Sequence, residues 1–327
     1  MGFTWLDGER LIRFASGAGD EGRELLRSRG FDGYALLTTE RFRGHALADG
    51  ADVVALVAAG SVPEVSAAVR AEVEGRPVVA LGGGRVIDSA KAIGAADLLP
   101  VAAVPTTLSG AELTGFHRLP QGVEGRKLVR PSLVVADPAL MASAPMPLLA
   151  ASAMNALAHA VEALYTPLAN PVASMAALRG ANLIASGLKG EGEPTSGGRE
   201  EVALGALLAA YASGAAGYAV HHVVCQTIVR VGATPHAQTN ATMLPHTLRL
   251  MQGRAAHEIA QVESALGGSD GADRLAERAG VSGLRALGFD DARVDDVVEA
   301  VLPRPELANT PDPPGEGELR EFIEGAL

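Results

Sequence analysis

The sequence predicts an α/β amino-terminal domain with a parallel sheet, followed by an all-helical carboxy-terminal domain. Short apolar runs alternate with helical patterns in the first part of the chain. Strand signals stop near residue 147, and long alanine-rich helical patterns follow. Alternating strands and helices are typical of a parallel sheet covered by helices. We therefore expect two domains, at residues 1–146 and 147–327.

The elements of the two domains follow from apolar periodicity and turn residues. Predicted strands of the first domain lie within 34–40, 52–59, 77–84 and 101–107, with one more extended segment within 127–138. Its predicted helices lie within 14–30, 61–75 and 86–99. Helical patterns of the second domain begin with 148–165, 172–188 and 200–228, with a surface loop at 187–201 and breaks at 267–273 and 309–318.

Composition and charge exclude several classes of function. The net charge is −11, and Lys and Arg form no cluster of the kind that binds a phosphate backbone, so we expect no nucleic-acid partner. A single cysteine, Cys225, excludes a disulfide framework and a multi-cysteine zinc site. No apolar run has the length of a membrane span, and the amino-terminal segment is charged. We expect a cytoplasmic protein without a membrane partner.

Three glycines, Gly82, Gly83 and Gly84, stand between a predicted strand and a predicted helix. Glycine permits a sharp turn and close approach of a ligand, and a helix amino terminus attracts phosphate. Asp88 and Lys91 follow in the same helix, within reach of a ligand at its start. The simpler alternative is a strand-to-helix turn without a ligand.

A second loop strengthens the prediction of a nucleotide site. Thr106, Thr107, Ser109 and Gly110 follow the next predicted strand. Small hydroxyl residues at the carboxyl ends of parallel strands lie where such sheets bind ligands. Two loops of this kind after neighbouring strands favour a nucleotide over an ordinary polar loop, although the usual GxGxxG pattern is absent.

The second domain carries a cluster of histidines and amides. Asn155 and His159 are four residues apart and share one helix face, as do His222 and Gln226, and His236 follows a proline turn. Such a set in a helical bundle binds a metal, or it forms a metal-free pocket in which imidazoles and amides bind a carboxylate or carbonyl. A third alternative is that each histidine only supports the core.

The chain resembles the iron-containing alcohol dehydrogenase superfamily, and within it the maleylacetate reductases. The similar segments are "GGGRVIDSAK", "VPTTLSGAELT", "DPALMASAPMPLLAASAMNALAHAVEALY" and "HHVVCQTI" with "TPHAQTNATMLPH". The resemblance implies a dehydroquinate synthase-like fold, with a dinucleotide domain and a helical domain. It also implies NAD(H) or NADP(H), hydride transfer between an alcohol and a carbonyl, and a homodimer.

The resemblance also assigns roles to the residues of the cluster. Metal-using members hold their metal with an aspartate and three histidines, at the positions of Asn155, His159, His222 and His236 in this chain. Maleylacetate reductases share the asparagine and are typically metal-independent, so we expect no tightly bound metal. His222 or His236 would then manage the proton, and Asn155, His159 and Gln226 would orient the substrate.

Several positions depart from the family pattern. Gln226 stands where maleylacetate reductases have a histidine that is a candidate proton donor, and Ile228 and Val229 replace two glycines. Ala111 and Arg85 each stand where serine is usual.

The segment after the strand "YALLTT" bears on the choice of cofactor. A nucleotide site often has an acidic residue there for the ribose. Here Thr39 comes first, and Arg41 offers a positive charge to a 2′-phosphate, so both NAD(H) and NADP(H) stay open.

The leading functional hypothesis is a nicotinamide-dependent oxidoreductase acting on a small carboxylate-bearing substrate. Without a metal, an activated keto acid suits the site better than a plain alcohol. A specialised variant is oxidation of a β-hydroxy acid, or of the carboxy-terminal residue of a peptide. The alternative is a redox-inactive form of the fold, acting as a binding or scaffolding subunit or as a nucleotide-independent lyase or cyclase.

Overall fold

The computed structural model describes residues 3–125 and 128–327. The chain divides into two compact units, residues 1–143 and 144–327. The predicted boundary after residue 146 lies close to this division.

The first unit contains a seven-stranded sheet in the order β1-β2-β7-β6-β5-β3-β4. The strands are β1 (Phe3–Asp7), β2 (Arg10–Phe14), β3 (Ala35–Thr38), β4 (Val53–Leu56), β5 (Val78–Gly82), β6 (Val101–Pro105) and β7 (Leu133–Ala136). Only the β1–β2 pair is antiparallel, and the other neighbours are parallel. The predicted parallel sheet is therefore present. The extended segment predicted within 127–138 contains β7, and its first residue, Lys127, lies outside the described residues.

The β1–β2 hairpin was not predicted from the sequence. Charged residues, Arg10 and Arg13, interrupt the apolar residues of β2, which weakens the strand signal. A hairpin signal is nevertheless present, because Asp7 and Gly8 form an Asp-Gly pair and Gly8 has φ +62°. The hairpin makes β5, the strand before the glycine turn, the fifth strand of the chain instead of the third.

The order of the strands creates a point at which the direction of chain progression across the sheet reverses. From β3 the chain continues to β4 on one side and then to β5 on the other. Open α/β sheets bind ligands outside the carboxyl ends of the strands at such a point. The turn after β5 and the segment after β3 are thus placed where a ligand is expected.

Helices cover both faces of this sheet, and local signals set their ends. They are α1 (Ala18–Ser28), α2 (Val62–Val73), α3 (Gly84–Asp97) and the short α4 (Pro138–Met141). Ser61 and Glu64 form a capping box at the start of α2, which satisfies N–H groups that the helix leaves unpaired. Asp137 likewise caps α4 by accepting a hydrogen bond from the N–H of Ala139.

The second unit is helical throughout its described elements. Its helices are α5 (Met146–Glu162), α6 (Pro171–Gly187), α7 (Ser196–Ala216), α8 (Val220–Gly232), α9 (His236–Gln252), α10 (Ala256–Leu266), α11 (Gly271–Arg278), α12 (Val294–Val301) and α13 (Glu316–Glu324). Glycines let α6 and α7 pack closely, because a methyl group on Gly180 would lie 2.7 Å from the carbonyl oxygen of Gly205. Among the described helices none alone has the length and apolarity of a membrane span, and α7 with α8 meets those criteria only as a pair bent by 103°.

The single helix predicted at 200–228 is wrong, because the chain breaks between α7 and α8. Gly217 ends α7 with φ +87°, a conformation that favours glycine. The apolar pattern runs on through the break, so periodicity alone gives no sign of it. The break has a functional consequence, since it places His221 and His222 in the first turn of α8, where backbone N–H groups lack helical partners.

Candidate active site

The glycine turn and the loop after β6 lie against each other in the first unit. A methyl group on Gly83 would lie 3.0 Å from Cγ2 of Thr107, and one on Gly84 would lie 3.1 Å from the side chain of Ser109. The N–H of Thr106 donates to the carbonyl of Gly82 at 3.0 Å. This cradle of small residues meets the first turn of α3, whose N–H groups lack helical partners. It fits the phosphates of a dinucleotide.

Lys91 makes contacts other than the predicted phosphate contact. Its side chain is fully buried, and Nζ donates to Oδ1 of Asp88 at 2.7 Å and to the carbonyls of Ala111 at 3.0 Å and Phe116 at 2.7 Å. An ammonium has three N–H donors, and these three contacts use them. In this structure Lys91 and Asp88 therefore anchor the loop after β6 to α3, and a direct contact of Lys91 with a ligand would require these bonds to open.

The same loop buries a carboxyl group. Glu112 is 1 % exposed, and its Oε2 has no hydrogen-bond partner among the described residues. Burial raises the pKa of Glu112 to about 7, opposed by its own backbone N–H and by Lys91. A buried carboxyl group prefers the neutral form for this reason.

The two residues considered for cofactor choice follow β3. Thr39 is half-buried, and Arg41 is exposed, with its guanidinium 5.0 Å from the ring centroid of Phe42 and Nη2 3.5 Å from Oγ of Ser143. Arg41 is thus at the carboxyl end of a strand beside the reversal point. Both cofactors stay compatible with this segment.

In the second unit, the predicted residues of α5 face a histidine of α8. Asn155 and His159 are 4 % and 9 % exposed, and Glu162, one turn further on the same face, is fully buried. Nδ1 of His222 lies 2.5 Å from Oε2 of Glu162, and the backbone N–H of His222 donates to Oε1 of Glu162 at 3.3 Å. The carboxyl group therefore holds both the ring and the backbone of His222.

Burial controls the charge of this pair. It raises the pKa of Glu162 to about 7 and lowers the pKa of His222 to about 3, with His236 and Arg304 acting on His222 in the same direction. His222 is thus neutral near pH 7, and the pair shares one proton that titrates. Nε2 of His222 is buried and has no hydrogen-bond partner in the described part of the chain, so it is available to a ligand that enters the site.

These residues, as placed, do not fit a divalent metal. The rings of His159 and His222 are stacked, with centroids 4.0 Å apart and planes inclined by 10°. A metal lies in the plane of each imidazole that binds it, and two stacked planes do not converge on one ion. Asn155 offers a neutral amide in place of a carboxylate, and its buried Oδ1 has no partner among the described residues.

His236 does not complete a metal site either. It is exposed at the first residue of α9, and its carbonyl accepts a hydrogen bond from Asn240. Within residues 3–125 and 128–327, no three His, Cys, Asp or Glu side chains form a group able to hold a metal. His246, the last residue of the similar segment "TPHAQTNATMLPH", lies beside Gly325 at the end of α13.

His221, adjacent to the site, has a supporting role. Its ring is fully buried between Oγ1 of Thr247 at 2.7 Å and Oδ1 of Asn240 at 3.0 Å. Burial lowers the pKa of His221 to about 3, so the ring is neutral. It joins α8 to α9 and thereby fixes the turn that carries His222.

Gln226 is linked to Arg304 directly and to Tyr218 through Arg304, two residues that the sequence analysis did not identify. Nη2 of Arg304 donates to Oε1 of Gln226 at 2.9 Å and to the hydroxyl of Tyr218 at 3.2 Å. The ring of Tyr218 meets that of His222 edge-on, with centroids 6.0 Å apart. Arg304 lies 78 residues beyond Gln226, so no local pattern links them. Spacing could have identified Glu162 as a site residue, because it lies three residues after His159 on the same face of α5.

Comparisons with known proteins give one consistent result. The model of the Fe-containing alcohol dehydrogenase family, C-terminal, matches residues 149–295, and the model "Iron-containing alcohol dehydrogenase" matches residues 13–145. Maleylacetate reductase 1 of Rhodococcus opacus is 35% identical over 240 residues, which cover 70% of this chain and 67% of that protein.

Structures agree with the sequence comparisons. The maleylacetate reductase of Rhizobium sp. strain MTP-10005 is 31% identical over 325 residues, which cover 93% of this chain and 92% of that protein. Its crystal structure superposes with a TM-score of 0.87 over 100% of this chain and 98% of that chain, at 28% identity. The fold also matches a sulfoacetaldehyde reductase of Bifidobacterium kashiwanohense solved with NAD+, at a TM-score of 0.80 and 21% identity, over 96% of each chain.

Proposed function

The protein belongs to the iron-containing alcohol dehydrogenase family as a maleylacetate-reductase-like oxidoreductase, and we propose that it reduces the carbonyl group of a small carboxylate-bearing substrate with NADH or NADPH. The reverse reaction, oxidation of the alcohol, uses the same groups. An activated keto acid is the substrate class that we favour, because its carbonyl accepts hydride without strong additional polarisation.

The observation that carries this proposal is the buried pair of His222 and Glu162. With Nδ1 of His222 2.5 Å from Oε2 of Glu162, Nε2 is left to face a substrate oxygen. In reduction, Nε2 gives its proton to that oxygen, and the carboxylic proton of Glu162 moves to Nδ1. The pair ends as a carboxylate and a neutral imidazole, so no buried imidazolium has to form. Positioned acid–base groups of this kind contribute about 10²–10⁴-fold to a rate.

Other residues of the helical unit orient the substrate. The amide of Asn155, on the same face of α5 as Glu162, has a buried oxygen that accepts a hydrogen bond from a substrate hydroxyl. His159, stacked on His222, keeps that ring in place and excludes water from one of its faces. Gln226 supplies an amide one helical turn after His222.

The cradle of the first unit is where we place the cofactor. Gly83, Gly84, Thr107 and Ser109 offer backbone N–H groups and hydroxyls to a pyrophosphate at the start of α3, and Thr39 and Arg41 stand at the neighbouring strand end for the ribose. When bound, a reduced nicotinamide supplies the hydride. The protein's part is to hold it through backbone N–H groups and small side chains.

We further propose that this chemistry needs no metal, because the stacked imidazoles and the amide of Asn155 are a poor donor set for a divalent ion. Cytoplasmic location and a homodimer stay predictions. Sedimentation of the purified protein tests the second of them.

The decisive experiment is a titration of metal-analysed protein with NADH and NADPH, followed by assays of nicotinamide oxidation with keto acids that include maleylacetate. Saturable binding and turnover without stoichiometric metal are the expected result. Turnover that depends on one metal per chain would overturn the metal-free mechanism. Failure to bind either nucleotide would overturn the oxidoreductase assignment and favour the redox-inactive alternative.

A further inference from the structure

A hydrogen-bonded cluster beside His222 links Gln226 to Arg304, Tyr218 and Glu306, three residues that the mechanism above does not use. Arg304, in the segment after α12, donates through Nη2 to Gln226 and Tyr218, and through Nη1 to the carbonyl of Val223 at 3.3 Å. The hydroxyl of Tyr218 donates to Oε1 of Glu306 at 3.1 Å. Because the Tyr218 ring also contacts the His222 ring, the cluster is continuous with the active site.

Arg304 fixes which end of the Gln226 amide faces the site. A guanidinium has only donors, so the atom of Gln226 that lies 2.9 Å from Nη2 has to be the oxygen. The NH2 group of Gln226 then points away from Arg304. It has no acceptor among the described residues, and the side chain is half-buried. A half-buried amide that is held by its oxygen presents two N–H donors to a ligand.

We propose that Gln226 binds a carboxylate oxygen of the substrate through its NH2 group, and that Arg304 is the positioning residue that holds it in this orientation. This inference rests on the proposed function and names the group by which the site would recognise its substrate. Glu306 completes the arrangement, because its Oε2 lies 3.5 Å from Nε of Arg304 and its Oε1 accepts the proton of Tyr218.

The N–H donors that Gln226 presents suit an anionic ligand. A histidine at position 226, as in the relatives that the sequence resembles, would meet the fixed positive charge of Arg304 whenever it became protonated. Glutamine avoids that repulsion because it carries no charge at any pH. It cannot transfer a proton either, so its contribution is to binding. Hydrogen bonds to a charged group are stronger than those between neutral groups, which suits an N–H donor facing a carboxylate.

The test is a double-mutant cycle with the variants Gln226→Ala, Arg304→Met and the combination of both. With NAD(P)H and maleylacetate, Gln226→Ala should raise KM by about 10–100-fold while kcat stays within about threefold, because a hydrogen bond to a charged group is lost. Arg304→Met should raise KM in the wild-type background and leave it unchanged in the Gln226→Ala background. Arg285→Met, in an exposed ion pair with Asp291, is the matched control and should not change KM.

Each alternative result is decisive. An unchanged KM, an effect on kcat alone, or additive effects of the two substitutions would overturn the proposal. If Arg304→Met does not fold, judged by circular dichroism, Arg304→Lys replaces it and should give a smaller rise in KM. With the neutral dimethyl ester of maleylacetate, Gln226→Ala should have the same KM as the wild type. A higher KM of the variant for this ester would also contradict a carboxylate contact.

A calorimetric arm separates this inference from the proposed function. If the wild-type protein does not oxidise NAD(P)H with any keto acid, the proposed function fails, and maleylacetate itself is titrated into the wild type and the Gln226→Ala variant. Binding that weakens about 10–100-fold in the variant would support carboxylate recognition by Gln226. Equal binding, or no binding to the wild type, would overturn it.

Discussion

Replacing Glu162 with Gln tests whether Glu162 controls the proton on His222. Oε1 of Glu162 accepts the backbone N–H of His222 at 3.3 Å, so the single oxygen of glutamine should stay there. The NH2 group of glutamine then faces Nδ1 of His222 at the position now held by Oε2, 2.5 Å away in the wild type. An NH2 donor forces Nδ1 to accept, which fixes the proton on Nε2.

The size of the effect follows from the titration of the pair. In the wild type, burial raises the pKa of Glu162 to about 7. The protonated pair donates from Nε2, so kcat/KM for reduction should be highest below pH 7 and fall about tenfold per pH unit above it. In Glu162→Gln the proton on Nε2 cannot be replaced from Nδ1, so we expect kcat to fall by about 10²–10³-fold and the profile to flatten between about pH 6 and pH 9.

Steady-state kinetics across this pH range, together with ¹⁵N spectra of the histidine rings, measure both effects. The wild-type spectrum should change from the Nε2–H to the Nδ1–H tautomer of His222 as the pH passes 7, and the variant should show Nε2–H throughout. Glu299→Gln, an exposed change on α12, is the matched control and should follow the wild type. A pH profile of Glu162→Gln that parallels the wild type, or a tautomer of His222 that does not change, would refute the reasoning.

Three further predictions concern the cofactor, the buried loop and the metal. Gly83→Val should weaken NAD(P)H binding at least about 100-fold, because a side chain at Gly83 would crowd Thr107 and fill the cradle in which we place the phosphates. Gly44→Ala, in open space, should leave the affinity unchanged, and equal affinity for both variants would remove the phosphate assignment. Glu112 has a folded-state pKa of about 7, above its unfolded value of 4.5, so this group should cost the wild type up to about 3 kcal/mol of unfolding free energy as the pH rises from about 4.5 to about 7. In urea unfolding, the decline of Glu112→Gln should be smaller than that of the wild type by this amount, since Glu162 contributes equally to both proteins, and declines of equal size would contradict the origin assigned to it. Dialysis against a chelator should leave kcat/KM within about twofold, and activity restored only by added iron or zinc would show that a metal is required.

The sequence predicts those features of the fold that local patterns carry. Each predicted parallel strand lies where an apolar run is bounded by turn residues, and the turn at Gly83 follows β5 as expected. Gly217 shows the limit of periodicity, because the apolar pattern continues through the break that a single positive φ creates. Without that break, the backbone N–H of His222 would be inside a helix and would not donate to Glu162.

The candidate site is predictable to the same extent. Asn155, His159 and His222 follow from spacing and from the resemblance, and the structure stacks His159 on His222, with Asn155 one turn before His159 on the same face of α5. The role of Lys91 could not be predicted from the sequence. Its hydrogen-bond acceptors include backbone carbonyls of a loop, and no local sequence pattern indicates where that loop lies. The role of Arg304 could not be predicted for a different reason, because only tertiary packing brings it into contact with Gln226.

The charge state of the helical site is the reason why we propose a keto acid as its substrate instead of a simple alcohol or aldehyde. His221 and His222 are neutral near pH 7, and Asn155 and Gln226 carry no charge. Neutral donors stabilise a developing alkoxide less than a metal ion would, so the substrate has to bring an already electrophilic carbonyl. In our proposal, a carboxylate of that substrate accepts hydrogen bonds from the N–H groups of Gln226, which Arg304 holds in place. Binding of the carboxylate and activation of the carbonyl therefore favour the same class of substrate.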